Sequence, residues 1–245
     1  MLLTSIAQML NIIIVDGAST DNTVDIVRKY AVEYSHIRWI SDKDKGQSDA
    51  MNKGIEMARG DIISFLNADD YYSPEALNRV LKIFKDLPEP SFLVGNCNVL
   101  DHDCKIMFVN KPSQLSLFDL LASVYIDHGA SLPINPSAYF YHASLHKKTG
   151  MYKLDEHYTM DIDFVIRTVQ GATSVYVNED FGNFRYIPNT KTFEDAREGK
   201  NRARLVRLSR NYRKFLSFDQ LMKIYFLELL AKLKYILWKF NIHRP

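Results

Sequence analysis

Between Gly60 and Tyr72 the chain reads GDIISFLNADDYY, an apolar run that ends abruptly in an acidic turn. A continuous apolar run such as Ile62 to Leu66 is typical of a buried parallel strand. Polar ligands of open α/β sheets bind just past the carboxyl ends of such strands. The adjacent carboxylates of Asp69 and Asp70 repel each other, so a cation, a base or water must offset them. The pattern is consistent with a divalent cation that carries a diphosphate, or with an Asx-rich turn before the next helix.

Outward from this stretch, strand-like and helix-like segments alternate along the first part of the chain. We expect strands at residues 11–15, 37–40 and 62–66, and helices at residues 23–34, 48–59 and 75–85. This alternation predicts a parallel, helix-covered sheet. Further along, the pattern predicts a hairpin of residues 92–100 and 105–109, helices at 115–125 and 161–170, and strands at 138–141, 174–177 and 182–186.

The composition is that of a globular protein with a substantial core. The chain has 245 residues, of which 47% are hydrophobic, enough for one large domain or two small ones. Cys97 and Cys104 fit no zinc or redox spacing, which predicts buried or free thiols in a reducing compartment. We expect neither a signal peptide nor a membrane-spanning helix, because the start of the chain lacks a basic region and no apolar run is long enough.

Charge is distributed unevenly along the chain, although the net charge is only +2. Residues 196–245 hold 13 Lys and Arg against 3 Asp and Glu, whereas residues 1–195 hold 18 against 26. The sequence therefore predicts a main domain at 1–195 and a basic, amphipathic helical tail at 196–245. Such a tail is typical of a helix on an anionic membrane surface. The alternative is a helix packed on its own domain or on another subunit. We expect no nucleic-acid partner, because the acidic body would oppose one.

Four motifs occur in an order that is characteristic of one enzyme family. They are IVDGASTDNT at residues 14–23, DKGQSDAMNKG at 44–54, LNADD at 66–70, and MDIDF at 160–164 with Arg167. Together they resemble family 2 glycosyltransferases, and the resemblance covers roughly residues 5 to 190. It implies an α/β GT-A (nucleotide-diphospho-sugar transferase) fold, with a mainly parallel sheet flanked by helices. It also implies a Mn²⁺- or Mg²⁺-dependent, inverting transfer of a sugar from a nucleotide-diphosphate donor to a hydroxyl acceptor.

The resemblance also implies roles for individual residues around the donor. Asp16 matches the residue that binds the base or ribose, and Asp69 matches the metal ligand at the end of the family's D-x-D element. Asn67 stands where the first Asp of that element usually is, so it can hydrogen-bond a ribose but brings no charge. The residues expected to bind the nucleotide-sugar are Asp16, Gly17, Ser19, Asp44, Gly46, Asn52, Asn67 and Ala68.

The catalytic base is expected in the last motif. Asp161 aligns with the family's general base, which takes the proton of the acceptor hydroxyl. Met160 replaces the usual Glu, so this site is less acidic than the common pattern. Asp163 is the competitor for the base role, and helical spacing points it away from Asp161. Asp70 either supports Asp69 from behind or caps the following helix.

The start of the chain departs from the family pattern. Only ten residues precede Asn11, and residues 4–10 are expected to be the end of a helix. The first strand of the family and part of the nucleotide pocket are therefore expected to be missing. We expect a cytoplasmic enzyme at the inner face of the plasma membrane that builds cell-surface polysaccharide on a glycan or lipid-linked acceptor, with His128 either near that acceptor or on the surface. The alternatives are a catalytically degenerate, partner-binding GT-A protein and, more weakly, a nucleotidyltransferase.

Overall fold

A computed structural model describes residues 10–127, 129–188 and 190–242 of the chain. Most of the helix expected at residues 4–10, and His128, lie outside the described residues.

The first part of the chain forms a parallel βαβ unit. Strand β1 (Ile12–Asp16), helix α1 (Thr23–Glu33) and strand β2 (Ile37–Ser41) follow each other, and β1 and β2 pair in parallel from Ile12–Ile37 to Asp16–Ser41. Helix α2 (Gln47–Met57) then leads to the short strand β3 (Ile62–Ile63). Because the pairing is parallel, the carboxyl ends of β1 and β2 meet at one edge of this two-stranded sheet.

The remaining strands form a second, six-stranded sheet together with β3. They are β4 (Tyr71–Tyr72), β5 (Ser91–Leu100), β6 (Ile106–Asn110), β7 (Tyr139–His142) and β8 (Thr173–Arg185). The order is β3-β7-β5-β8-β4, with β6 also paired to β5.

Only β5 and β8 pair in parallel in this second sheet; its other described pairings are antiparallel. The α/β fold is as expected, but the expected mainly parallel sheet is wrong in this detail, and the arrangement is mixed. The reason is local: β6 returns on β5 through a tight hairpin, and β7 runs against both of its neighbours.

Strand β8 is one long strand where the sequence predicted two short ones. Its register against β5 shifts around Gly95 and Asn96, where extra residues of β8 bulge out. A Cβ on Gly95 would lie 2.3 Å from the ring of Phe181, so only glycine permits this close crossing. The side chain of Asn96 hydrogen-bonds Asn178 and Asp180 in the bulge, which keeps the polar segment in the strand.

The six-stranded sheet has an apolar core on each face. Alternate residues of β7 point to opposite faces, so Tyr139 and Tyr141 join the larger core while Phe140 joins the smaller one. Helix α3 (Ala76–Phe84) covers the smaller core. The larger core is covered chiefly by α4 (Leu117–Ile126) and α6 (Met160–Thr168), with the short helix α5 (His146–Thr149) at its margin.

The C-terminal part is helical, as expected, and much of it packs on the main domain. Helices α7 (Lys191–Arg197), α8 (Asn201–Tyr212) and α9 (Phe218–Ile242) follow each other. Leu205, Leu208, Tyr212 and Ile224 are buried in the larger core. The domain boundary expected between residues 195 and 196 falls inside α7 and remains a prediction.

Candidate active site

Asp16 ends β1, and its carboxylate is held by Ser19 in the following turn and by Ser41 at the end of β2. One oxygen accepts from the hydroxyl of Ser19, and the other accepts from the backbone N–H of Ser19 at 3.0 Å and the hydroxyl of Ser41 at 2.6 Å. These hydrogen bonds lower the pKa of Asp16, and the one from the Ser19 side chain has the largest effect. Asp16 is therefore anionic at neutral pH. Ser41 was missed from the sequence, although its position at the end of the paired strand is the signal that could have found it.

The second motif meets the first at Gly17. A Cβ on Gly17 would lie 2.6 Å from Oδ2 of Asp44, so the glycine lets this carboxylate approach the backbone. The other oxygen of Asp44 accepts from the N–H of Gly46 at 2.8 Å. Gly46 has a φ of 112°, a conformation that favours glycine, and it is the N-cap residue of α2. The predicted residues of the first two motifs are therefore adjacent at the N-terminus of α2.

Asp70 organises the third motif. It is buried, and its carboxylate accepts from the side-chain amides of Asn67 and Asn135 at 2.8 Å each and from the backbone N–H of Arg185 at 3.1 Å. Burial raises its pKa, although these hydrogen bonds oppose the rise. Asp70 does not cap the following helix, because α3 begins only at Ala76. It holds the side chain of Asn67 in place and links the turn at residues 67–70 to β8 through the backbone N–H of Arg185.

Asn67 links this turn to α2. Its Nδ2 donates to Asp70, and its Oδ1 is 3.4 Å from Nε2 of Gln47, the first residue of α2. The third motif therefore lies against the same helix N-terminus as Asp44 and Gly46. Ala68, next in the turn, is exposed.

Asp69 has the environment of a carboxylate open to a ligand. It is half-buried, and within the described ranges it makes no hydrogen bond or ion pair. A lone carboxylate fits Mg²⁺ or Mn²⁺ when diphosphate oxygens and water complete the ligand set. The one described group of three acidic or histidine side chains within metal-binding distance is elsewhere, at Asp101, His102 and Asp103 in the exposed β5–β6 turn. A metal ion at Asp69 would therefore need further ligands from a substrate or from water.

Asp161 lies in the first turn of α6, which the second motif holds in place. The hydroxyl of Ser48 donates to the sulfur of Met160 at 2.9 Å, and the amide of Asn52 exchanges two 2.9 Å hydrogen bonds with the backbone of Tyr152. Asn52 thus positions the segment before α6, and its expected contact with nucleotide remains a prediction. Asp161 is half-buried. The pKa of Tyr139 on β7 is raised, first by the burial of Tyr139 and then by the negative charge of Asp161.

Asp163 lies on the other side of α6 and is a buried anchor. Its carboxylate accepts from Lys153 at 2.6 Å, the Tyr212 hydroxyl at 2.6 Å and Arg167 at 2.8 Å. Burial alone would raise its pKa, but these three partners together lower it. A carboxylate held by three donors is a weak base and cannot reach a substrate. The expectation that Asp163 competes for the base role is therefore not supported, and Asp161 remains the candidate.

Comparison with known proteins supports the family resemblance and shows the fold. Residues 2–105 match glycosyl transferase family 2. The chain is 42% identical over 97 residues to the uncharacterized glycosyltransferase YibD of Escherichia coli strain K12, a stretch that covers 40% of this chain and 27% of that protein. It is 34% identical over 158 residues to a PGL/p-HBAD biosynthesis glycosyltransferase of Mycobacterium bovis strain BCG, which covers 64% of this chain and 57% of the relative. The chain therefore spans only part of the length of these relatives.

Solved structures share the fold at low sequence identity. The crystal structure of S. aureus TarS has a TM-score of 0.64 at 15% identity, covering 91% of this chain and 39% of that one. The mannosyltransferase PcManGT from Pyrobaculum calidifontis, solved with GDP-Man and Mn²⁺, has a TM-score of 0.55 at 16% identity, covering 91% and 60%. The predicted GT-A fold is confirmed. Residues 2–105, which hold the first three motifs, therefore match glycosyl transferase family 2, and the expected resemblance to that family is confirmed.

Proposed function

We propose that this chain transfers a sugar from a nucleotide-diphosphate donor to a hydroxyl acceptor with inversion at the anomeric carbon. The observation that carries the proposal is the convergence of three motifs on the N-terminus of α2, with the carboxylate of Asp69 left unpaired among the described side chains. Helix N-termini favour phosphate groups, because their N–H groups and dipole attract anions. Structural relatives were solved with UDP, UDP-GlcNAc and GDP-Man, which supports a nucleotide-sugar donor.

The donor would lie between the end of β1 and the turn after β3. In this proposal Asp16 accepts hydrogen bonds from the base or ribose, with Gly17 and Asp44 beside it. Asp69 holds Mn²⁺ or Mg²⁺, a choice supported by the Mn²⁺ in PcManGT. When bound, the metal would neutralise the charge of the diphosphate. Asn67, fixed by Asp70, offers its oxygen to the ribose.

Asp161 would act as the general base. It takes the proton of the acceptor hydroxyl while that oxygen bonds to the anomeric carbon, and the bond from that carbon to the diphosphate oxygen breaks. The products are the glycosylated acceptor and a nucleoside diphosphate. One displacement inverts the anomeric configuration. Asp163 keeps α6 in position and takes no part in proton transfer.

The test is a turnover screen over nucleotide-sugars with Mn²⁺ or Mg²⁺, using wild type, Asp161→Asn and Asp155→Asn. Asp155 is an exposed acid before the same helix and serves as the matched control. We expect release of nucleoside diphosphate by wild type and by the control, and a loss of at least ~10²-fold in Asp161→Asn. Equal turnover in all three would contradict the base assignment. Release of pyrophosphate would indicate a nucleotidyltransferase, and no metal-dependent thermal shift with any nucleotide-sugar would favour a non-catalytic binding protein.

We further propose that α9 places the enzyme on the cytoplasmic face of an anionic membrane, where it acts on lipid-linked glycans of the cell surface. Ile224 packs in the larger core and Glu228 pairs with Arg210 and Arg213, but the following turns expose large apolar side chains, among them Leu233, Leu237 and Trp238. Lysines 232, 234 and 239 lie among them. Apolar residues flanked by Lys favour an interface position. No described helix is long and apolar enough to cross a bilayer.

Vesicle sedimentation tests this placement. We expect binding to vesicles that contain phosphatidylglycerol, weaker binding to pure phosphatidylcholine, and loss of binding in the double variant Leu233→Glu/Leu237→Glu. Val32→Glu, at an exposed apolar position on α1, is the control. If the double variant binds vesicles like wild type but converts a dimer to a monomer, α9 covers a second copy instead.

A further inference from the structure

A cavity of about 460 Å³ lies behind α6, on the side of Asp163. Its walls come from α5, the end of α6, the end of α8 and the turn before α9. None of the residues assigned above to donor, metal or base lines it. Its volume is in the range of pockets that bind small ligands.

The cavity has a strong excess of positive charge. Lys148, Lys153, Arg167 and Lys214 line it, and no Asp or Glu is among its lining residues. One carboxylate, that of Asp163, lies buried beneath it. Among the described residues, the cavity therefore has four lining cations against the one anion of Asp163.

Asp163 holds two of these cations in fixed positions. It binds Nζ of Lys153 at 2.6 Å and Nε of Arg167 at 2.8 Å, while Nη1 of Arg167 donates to the carbonyl of Thr149. Their positions need no reorganisation when a ligand arrives, which lowers the entropic cost of binding.

The other two cations lack a charged partner within the described part of the chain. Nζ of Lys148 makes a single 3.3 Å hydrogen bond to the carbonyl of Gly171. Nζ of Lys214 lies 5.1 Å from the ring centre of Phe215. Like charges around one cavity repel each other, and an anion in the cavity would relieve that repulsion.

We propose that this cavity binds a phosphate-bearing ligand, either a free phosphate or diphosphate compound or the head group of a phospholipid. Lysine ammonium groups are point charges that suit phosphate oxygens. Phe215 at the wall is exposed and lies three residues before α9 begins, so the cavity is near the segment proposed to meet the membrane. This ligand is additional to the donor, and its site does not depend on the proposed transferase activity.

The experiment measures pyrophosphate and inorganic phosphate binding by calorimetry in EDTA, so that no metal supports phosphate binding at the donor site. Wild type is compared with Lys148→Glu, Lys214→Gln and the control Lys147→Glu. Lys147 is the exposed neighbour of Lys148 on α5 but does not line the cavity. We expect Lys148→Glu and Lys214→Gln to raise the Kd by about tenfold, as loss of one charge-assisted hydrogen bond predicts, and Lys147→Glu to bind like wild type.

A second arm separates the two sources of phosphate. Vesicles of phosphatidylcholine with and without phosphatidic acid are sedimented with the same variants. Weaker binding of Lys148→Glu than of Lys147→Glu to the phosphatidic acid vesicles, without binding of free phosphate or pyrophosphate, assigns the cavity to a lipid head group. Equal behaviour of the Lys147 and Lys148 variants in both arms overturns the proposal, whether or not transferase activity is found.

Discussion

Replacing Asp163 by Asn should destabilise the protein without removing a base. The Asp163 side chain is 1% exposed, and its partners differ in their access to water: the Lys153 side chain is 47% exposed, whereas that of Arg167 is 15% exposed. In Asp163→Asn, Lys153 can turn into solvent, but the charge of Arg167 stays largely buried and unpaired. Breaking a buried ion pair costs 3–5 kcal/mol, and because Lys153 can escape we expect about 3 kcal/mol.

The assay is urea unfolding at pH 7 together with thermal melting. For a chain of this size, about 3 kcal/mol corresponds to a fall in Tm of about 6–12 °C. Because the pKa of Asp163 is lowered on folding, its contribution is present above its unfolded pKa of about 3.9 and is lost as the pH falls below that value. The difference between wild type and Asp163→Asn should therefore narrow below about pH 4.

Asp161→Asn is the matched comparison, since it changes a carboxylate two residues away. We expect it to keep the Tm of wild type within a few degrees while turnover is lost. A Tm of Asp163→Asn equal to that of wild type, with turnover abolished at a temperature where the variant is folded, would refute the anchor assignment and restore Asp163 as a base.

Three further changes test the fold and the site. Gly95→Ala should cost about 2–3 kcal/mol of unfolding free energy, because the new Cβ would meet the fully buried ring of Phe181. Asp70→Asn should cost about 2 kcal/mol and weaken metal-dependent nucleotide binding, because an amide in this place meets the amide of Asn135; calorimetry with UDP and Mn²⁺ measures the loss. Glu228→Gln should loosen α9 and speed its proteolysis at pH 7. Burial alone would raise the pKa of Glu228, but its arginine and lysine partners outweigh burial and lower the pKa to about 2. The proteolysis rate of wild type should therefore approach that of the variant as the pH falls from 4.5 toward 2.

Controls for Gly95→Ala and Glu228→Gln come from similar positions with fewer constraints. Gly60→Ala would place its Cβ 3.5 Å from the nearest atom, an ordinary contact, and Glu198→Gln changes an exposed acid near the end of α7. If Gly95→Ala or Glu228→Gln behaves like its control, the close crossing or the docking of α9 does not stabilise the protein as argued. If Asp70→Asn binds UDP and Mn²⁺ like wild type, Asp70 does not position Asn67 for the donor.

The sequence pattern predicted those strands and helices that are specified mainly by residues close together in the chain. The β-branched run before Asp16, the apolar spacing of α2 and the Ser73-Pro74 start before α3 each specify an element with few partners, and each element was found within one or two residues of its expected bounds. Strand β8 was predicted as two strands because Asn178, Glu179 and Asp180 interrupt its apolar pattern. Only the bulge opposite Gly95, in a different strand, keeps them in one ladder.

The candidate site residues likewise divide into those that local motifs could select and those whose roles depend on partners distant in sequence. Motifs along the chain selected Asp16, Asp69 and Asp161 as candidates through their resemblance to family 2 glycosyltransferases, and their roles stay predictions. The motifs favoured Asp161 over Asp163 but did not exclude Asp163, since both are acids in the same turn. Tyr212, 49 residues from Asp163, and Asn135, 65 residues from Asp70, helped to turn those two carboxylates into anchors. Partners so distant in sequence meet only after folding, so burial and hydrogen bonding, which decide the chemistry of a carboxylate, are properties of the tertiary structure.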